Sequence, residues 1–144
     1  MDALLERTMF HGTSHDFEVF SLDQCGTGTK MPLGYLGIYF TPCPLLASKF
    51  CKNKWNSKRS KYRKGSRVIP VSLAASKIKY WNAIQFIQHS GSSPESLIRV
   101  REELTEQGFD CIVVKASEKY CLDELYEPQV IVLNPNIINF KLAA

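Results

Sequence analysis

The sequence predicts an α+β fold in one domain, on three observations. The chain has 144 residues, 44% of them hydrophobic and 22% charged. That fits one compact domain long enough to bury a core, and excludes disorder, collagen and coiled coil as the overall class. Strand-like and helix-like segments alternate without βαβ regularity, which favours α+β over a doubly wound sheet. There is no internal repeat and no linker, so residues 1–144 form a single unit.

The elements follow in order. Residues 8–10 read as a short strand that breaks at the glycine of His11-Gly12-Thr13. Phe17, Val19 and Phe20 mark a short amphipathic stretch. Residues 24–37 hold Gly26, Gly28, Pro32, Gly34 and Gly37, an irregular loop. Gly37-Ile38-Tyr39-Phe40-Thr41 has the β-branched and aromatic content of a strand. Thr41 or Pro42 then opens a helix, roughly residues 44–51, with Leu46, Ala47 and Phe50 on one side. Residues 52–66 are polar, basic and aperiodic, a solvated loop. Residues 67–73 form a strand through Val68, Ile69 and Val71. Trp81, Ile84 and Ile87 suggest a helix over residues 80–88. Ser93 and Pro94 start a helix that Gly108 ends, with Leu97, Ile98, Arg101 and Leu104 in helical period. Residues 111–114 are a buried strand. Residues 130–133 are another, stopped by Asn134-Pro135-Asn136.

The net charge of +4 hides an arrangement. Residues 24–94 carry 12 Lys or Arg and no acid, while the flanks hold the other 6 basic residues and all 14 acidic ones. A +12 centre between ends totalling −8 suggests a face built for an anion. Cys25, Cys43, Cys51, Cys111 and Cys121 are odd in number and include no CxxC pair, so neither a disulfide framework nor a metal site is expected. No apolar run approaches the ~20 residues of a membrane span, and the first ten residues do not read as a secretory signal. The expectation is a cytoplasmic monomer without membrane contact, or one delivered into a host cytoplasm without a cleaved signal peptide.

Three polar or aromatic groups flank probable strands and could converge. A histidine followed by a glycine, His11-Gly12, lets a ligand approach the backbone closely. Tyr39 on a strand and Phe50 one helix later can sandwich a flat heteroaromatic ring. A carboxylate at a strand start, Glu127, can grip a ribose hydroxyl and face a developing positive charge. Singly, each also fits a plain role: a structural histidine, two core aromatics, a solvated strand end.

Met9-Phe10-His11-Gly12-Thr13, Gly37-Ile38-Tyr39-Phe40-Thr41 and Ala47-Ser48-Lys49-Phe50 resemble the diphtheria-toxin and poly(ADP-ribose) polymerase branch of ADP-ribosyltransferases. The segments 104–113 and 129–135 resemble small bacterial and phage members of that superfamily. The resemblance implies a split, mixed, mostly antiparallel sheet core with flanking helices. It implies NAD as co-substrate, with no metal. His11 would bond the adenosine-side ribose, supported by Thr13, and the Gly12 backbone would bind the nicotinamide amide. Tyr39 would stack on the nicotinamide ring and Phe50 would close its other face. Tyr35, Gly37 and Phe40 complete the cofactor-binding set.

The family has a glutamate at the start of its last core strand. Aligning residues 130–133 with that strand puts Gln129 at the position, with Glu127 two residues earlier on the same strand face if Pro128 keeps the chain extended. Glu127 is expected to supply the carboxylate, with Gln129 as a neutral hydrogen-bonding partner. The implied activity is mono-ADP-ribosyl transfer from NAD to a macromolecular acceptor, protein or nucleic acid. A toxin, an effector and a viral or phage factor would all fit. Alternatives are an inactive member that binds NAD or an ADP-ribosylated partner, and a nucleic-acid module led by the basic loop.

That loop region concentrates Lys49, Lys52, Lys54, Lys58, Arg59, Lys61, Arg63, Lys64 and Arg67 around Trp55 and Tyr62. Three readings stay open: a solvated loop balancing the acidic flanks, phosphate and base contacts to nucleic acid, and recognition of an acidic or nucleotide-bearing substrate. Lys58, Arg59, Lys61, Arg63 and Lys64 are its substrate candidates.

Overall fold

Val130, Ile131 and Val132 are completely buried, and the strand they form organises the larger of the two sheets among the described residues. The computed structural model describes residues 3–13, 22, 32–49, 67–89, 91–115 and 128–140. Its elements are β1 (Met9–Thr13), β2 (Ile38–Phe40), α1 (Pro44–Lys49), β3 (Arg67–Leu73), β4 (Ile78–Trp81), α2 (Ala83–Gln88), α3 (Pro94–Glu106), β5 (Cys111–Val114), β6 (Gln129–Val132) and β7 (Ile138–Phe140). Short 3-10 turns precede β1, β2 and β7.

The chain is α+β. One sheet has the order β1-β3-β7 and is antiparallel. The other has the order β2-β6-β5-β4, antiparallel except where β4 runs parallel to β5. Among the described residues a single bridge joins them: Phe10 N–H donates to the Thr41 carbonyl at 2.8 Å, and Thr41 N–H to the Phe10 carbonyl at 3.0 Å.

Strand alternation divides the core in two. Ile38, Phe40, Cys111, Val113, Val130 and Val132 of the larger sheet cluster with Met9, Ile69, Val71 and Leu73 of the smaller. On the other face Ile112, Val114 and Ile131 pack with Trp81, Phe86, Leu97 and Leu104, so α2 and α3 cover that side. Each fully buried aliphatic side chain contributes about 1.5–3 kcal/mol.

Local signals explain α3 well. Ser93 accepts from Ser96 N–H at 3.2 Å as the N-cap, Pro94 takes the first turn, and Gly108 at φ +89° follows the end. Lys77 Nζ donates to the Gln107 carbonyl there, a cation at a helix C-terminus.

Four expectations need correction. β1 runs through Gly12 to Thr13, because Gly12 still pairs with Val68. Residues 32–35 of the expected loop form a 3-10 turn. The helix after β2 starts at Pro44 as expected, but Cys43, whose carbonyl accepts from Ala47 N–H, leads into it rather than Thr41 or Pro42. Residues 80–88 are not one helix. Tyr80 and Trp81 belong to β4, which β5 recruits by parallel pairing, and Asn82 caps α2 by exchanging bonds with Gln85 at 2.8 and 2.9 Å. The Phe17–Phe20 stretch and the basic loop lie outside the described residues. No described helix is long and apolar enough to cross a membrane.

Candidate functional site

The site is built where β1 and β2 part. Phe10 turns its backbone toward Thr41, away from β3. Its partner in β3 is Pro70, which has no N–H to offer. Backbone groups alternate sides along a strand, so the N–H and carbonyl of Gly12 also point away from β3. They face the gap that opens beyond the Phe10–Thr41 bridge. The same alternation turns the backbone of Tyr39 toward β1.

His11 spans this gap. Its Nδ1 lies 2.7 Å from the Tyr39 carbonyl, and since a carbonyl only accepts, Nδ1 carries the proton. In the neutral ring Nε2 is then the acceptor. Burial, the larger influence, lowers the imidazole pKa; the bond to Tyr39 raises it in part, and the net shift is down. The ring tilts against Phe40 at 5.3 Å and 46°. His11 is therefore a neutral group whose tautomer and orientation are set by β2.

Tyr39 and Gln129 approach from the other face of the larger sheet. Tyr39 pairs with Ile131 and presents its ring edge to Phe86 at 6.3 Å. Gln129, 2% exposed, opens β6 and shares the face of Ile131 and Tyr39 by alternation. As a diagonal neighbour it stands about 7–8 Å from Tyr39. So the two rings do not share a face: His11 lies between the sheets, and Tyr39 on the helix side. They meet through the Tyr39 backbone.

Of the residues singled out in the sequence, His11, Gly12, Tyr39, Phe40 and Gln129 gather around this junction. Thr13 ends β1. Tyr35 is half-buried, and its carbonyl accepts from Arg101 Nη1 at 3.1 Å, which ties the turn before β2 to α3. Gly37 is buried and has a packing reason. An added Cβ would stand 2.7 Å from both Ile131 Cγ2 and the Val132 carbonyl. Glu127, Phe50, Lys58, Arg59, Lys61, Arg63 and Lys64 lie outside the described residues.

Two contributors escape the sequence reading. Arg101 had one usable signal, a cation in register with Leu97 and Leu104 on the apolar face of α3. Thr41 had none. Its side chain, read as a helix opener, is 0% exposed and bonds to the Pro128 carbonyl at 3.3 Å. Among the described residues no group of three or more His, Cys, Asp or Glu could hold a metal ion. In comparisons with known proteins, no family model matches this chain, and no curated protein or solved structure matches it.

Proposed function

We propose that this chain is an NAD-dependent mono-ADP-ribosyltransferase with the split-sheet fold of that superfamily. The supporting observation is the His11 Nδ1–Tyr39 carbonyl bond, beside a Gly12 backbone directed at the same gap. It joins two motifs 28 residues apart beside the bridge that links the two sheets.

In this reaction the bond between ribose C1′ and the nicotinamide nitrogen breaks, and its electron pair leaves with nicotinamide. A nucleophile of the acceptor attacks C1′ and loses its proton. The chain contributes position and electrostatics. His11 Nε2 accepts from a ribose hydroxyl and Gly12 binds the carboxamide through its backbone; the resemblance assigns the ring faces to Tyr39 and Phe50, although the Tyr39 ring lies on the helix side of the larger sheet. Glu127 is the carboxylate facing the developing cation, and Gln129 orients the adjacent hydroxyl.

A second reading, NAD binding without turnover, is favoured by one observation: the β6 start carries a neutral, buried Gln129. Nicotinamide release from NAD separates the two. Transfer predicts release by the native chain and a loss of about 100-fold in Glu127→Ala. Full activity in Glu127→Ala would remove that residue from the mechanism. Stabilisation by NAD with no release would favour the binder. Labelled NAD in a cell lysate, treated separately with protease and nuclease, identifies the acceptor class.

A further inference from the structure

Thr41 is the point where four parts of the fold meet. Its N–H and carbonyl form the bridge to Phe10 at 3.0 and 2.8 Å. Its hydroxyl donates to the Pro128 carbonyl and accepts from Cys43 N–H, each at 3.3 Å. The side chain is fully buried, and the Pro128 contact spans 87 residues of sequence. Thus one residue binds β1, the end of β2, the approach to α1 and the approach to β6.

We infer that Thr41 is a positioning residue that sets the start of β6 relative to the His11–Tyr39 pair. Pro128 directly precedes Gln129, so its carbonyl, part of the peptide unit leading into Gln129, fixes where that side chain begins. Phe10 precedes His11, and Thr41 follows Phe40 and Tyr39. Two short backbone bonds hold the His11 side of the gap, and a hydroxyl holds the β6 side. A threonine that only capped α1 would need no bond to residue 128. The hydroxyl, and no other part of Thr41, links β2 to Pro128 by its side chain. The consequence for catalysis rests on the transferase reading; the consequence for the position of Gln129 does not.

The test compares Thr41→Val, which keeps the shape and removes the hydroxyl, with Thr41→Ser, which keeps the hydroxyl. Thr41→Ala serves where valine is not accommodated. The first readout is the ¹⁵N–¹H spectrum without NAD. The valine or alanine variant is expected to shift the amides of Gln129 and Val130 while those of α3 stay in place, and serine is expected to restore them. The second is nicotinamide release. Removal of the hydroxyl is expected to lower kcat about fivefold to tenfold with KM for NAD within about twofold, because binding rests on His11 and Gly12. Unmoved Gln129 and Val130 amides would overturn the inference, as would serine failing to restore them. Equal losses in kcat and in binding would do so too. A native chain that releases no nicotinamide defeats the transferase reading alone, and the amide shifts then decide the role of Thr41.

Discussion

The two ends of the larger sheet use polar groups in opposite ways. At the end where β4 and β5 begin and β6 finishes, Asp110 closes the structure on itself. Its carboxylate accepts from Ser76 N–H at 2.7 Å, Lys77 N–H at 3.3 Å and Asn134 Nδ2 at 3.1 Å. Its carbonyl accepts from Leu133 and Asn134, and its N–H donates to Lys77. At the other end, where β2 finishes and β6 begins, the Phe10–Thr41 bridge links the two sheets. There the His11 ring is oriented by the Nδ1 bond to the Tyr39 carbonyl, and Gly12 turns its backbone away from β3. The first end converts polar groups into fixed strand positions. The second brings a buried imidazole and a strand backbone to one place. A polar cluster by itself thus says little about function; the direction of its remaining groups says more.

The sharpest break would come from His11→Ala. Nicotinamide release should fall by about 100-fold, near 3 kcal/mol of barrier, while the melting temperature falls by only a few degrees. Unchanged release would make the open end structural as well. Gly37→Ala acts on the packing between β2 and β6 instead. The new methyl meets a side chain and a backbone carbonyl at 2.7 Å, so about 2–3 kcal/mol of folding stability should be lost in denaturant titration. A neutral result would mean that β2 and β6 can separate without cost.

Asp110→Ala should cost about 2 kcal/mol, seen as a melting temperature lower by about 5 °C, with little effect on any NAD reaction. Burial raises the Asp110 pKa, but the bonds from Ser76, Asn134 and Lys77 override it and hold the carboxyl below its ordinary value. The folded state therefore binds this proton less readily than the unfolded one. The stabilisation is complete above the ordinary carboxylate pKa and is lost as pH falls through the depressed one. The alanine variant should show a shallower loss of stability in acid; an identical acid profile would count against the bonds.

The smallest effect concerns His11. Its lowered pKa means that the unfolded chain takes up the imidazole proton first. Stability is complete above an ordinary imidazole pKa of about 6.5 and declines as pH falls toward the lowered value. His11→Gln should remove that decline, and equal slopes in the two chains would show that the ring titrates normally.

Much of this was legible in the residues, and the misses share one cause. Ser93, Pro94 and Gly108 delimit α3 because caps act within a turn of the helix. Val130 to Val132 and Cys111 to Val114 read as buried strands because apolar runs bounded by turn residues have few other uses. The α+β class follows from such local signals. β4 is hidden in the sequence because Trp81, Ile84 and Ile87 mimic a helical spacing, and only pairing with residues 111–114 makes Ile78–Trp81 a strand. The role of Thr41 is not legible locally, because a threonine before a proline-rich turn suggests a cap, whereas its hydroxyl also reaches Pro128.

The sequence by itself determined the fold class, the limits of α3, the apolar strands and the two motifs containing His11 and Tyr39. Tertiary structure alone decided that these motifs meet through a ring nitrogen and a backbone carbonyl. It also decided that Gly37 lacks room for a side chain and that Thr41 joins both sheets. Local signals depend on neighbours within about one helical turn or one strand. A sheet junction instead depends on which distant strands pair, and no periodicity in either strand encodes its partner.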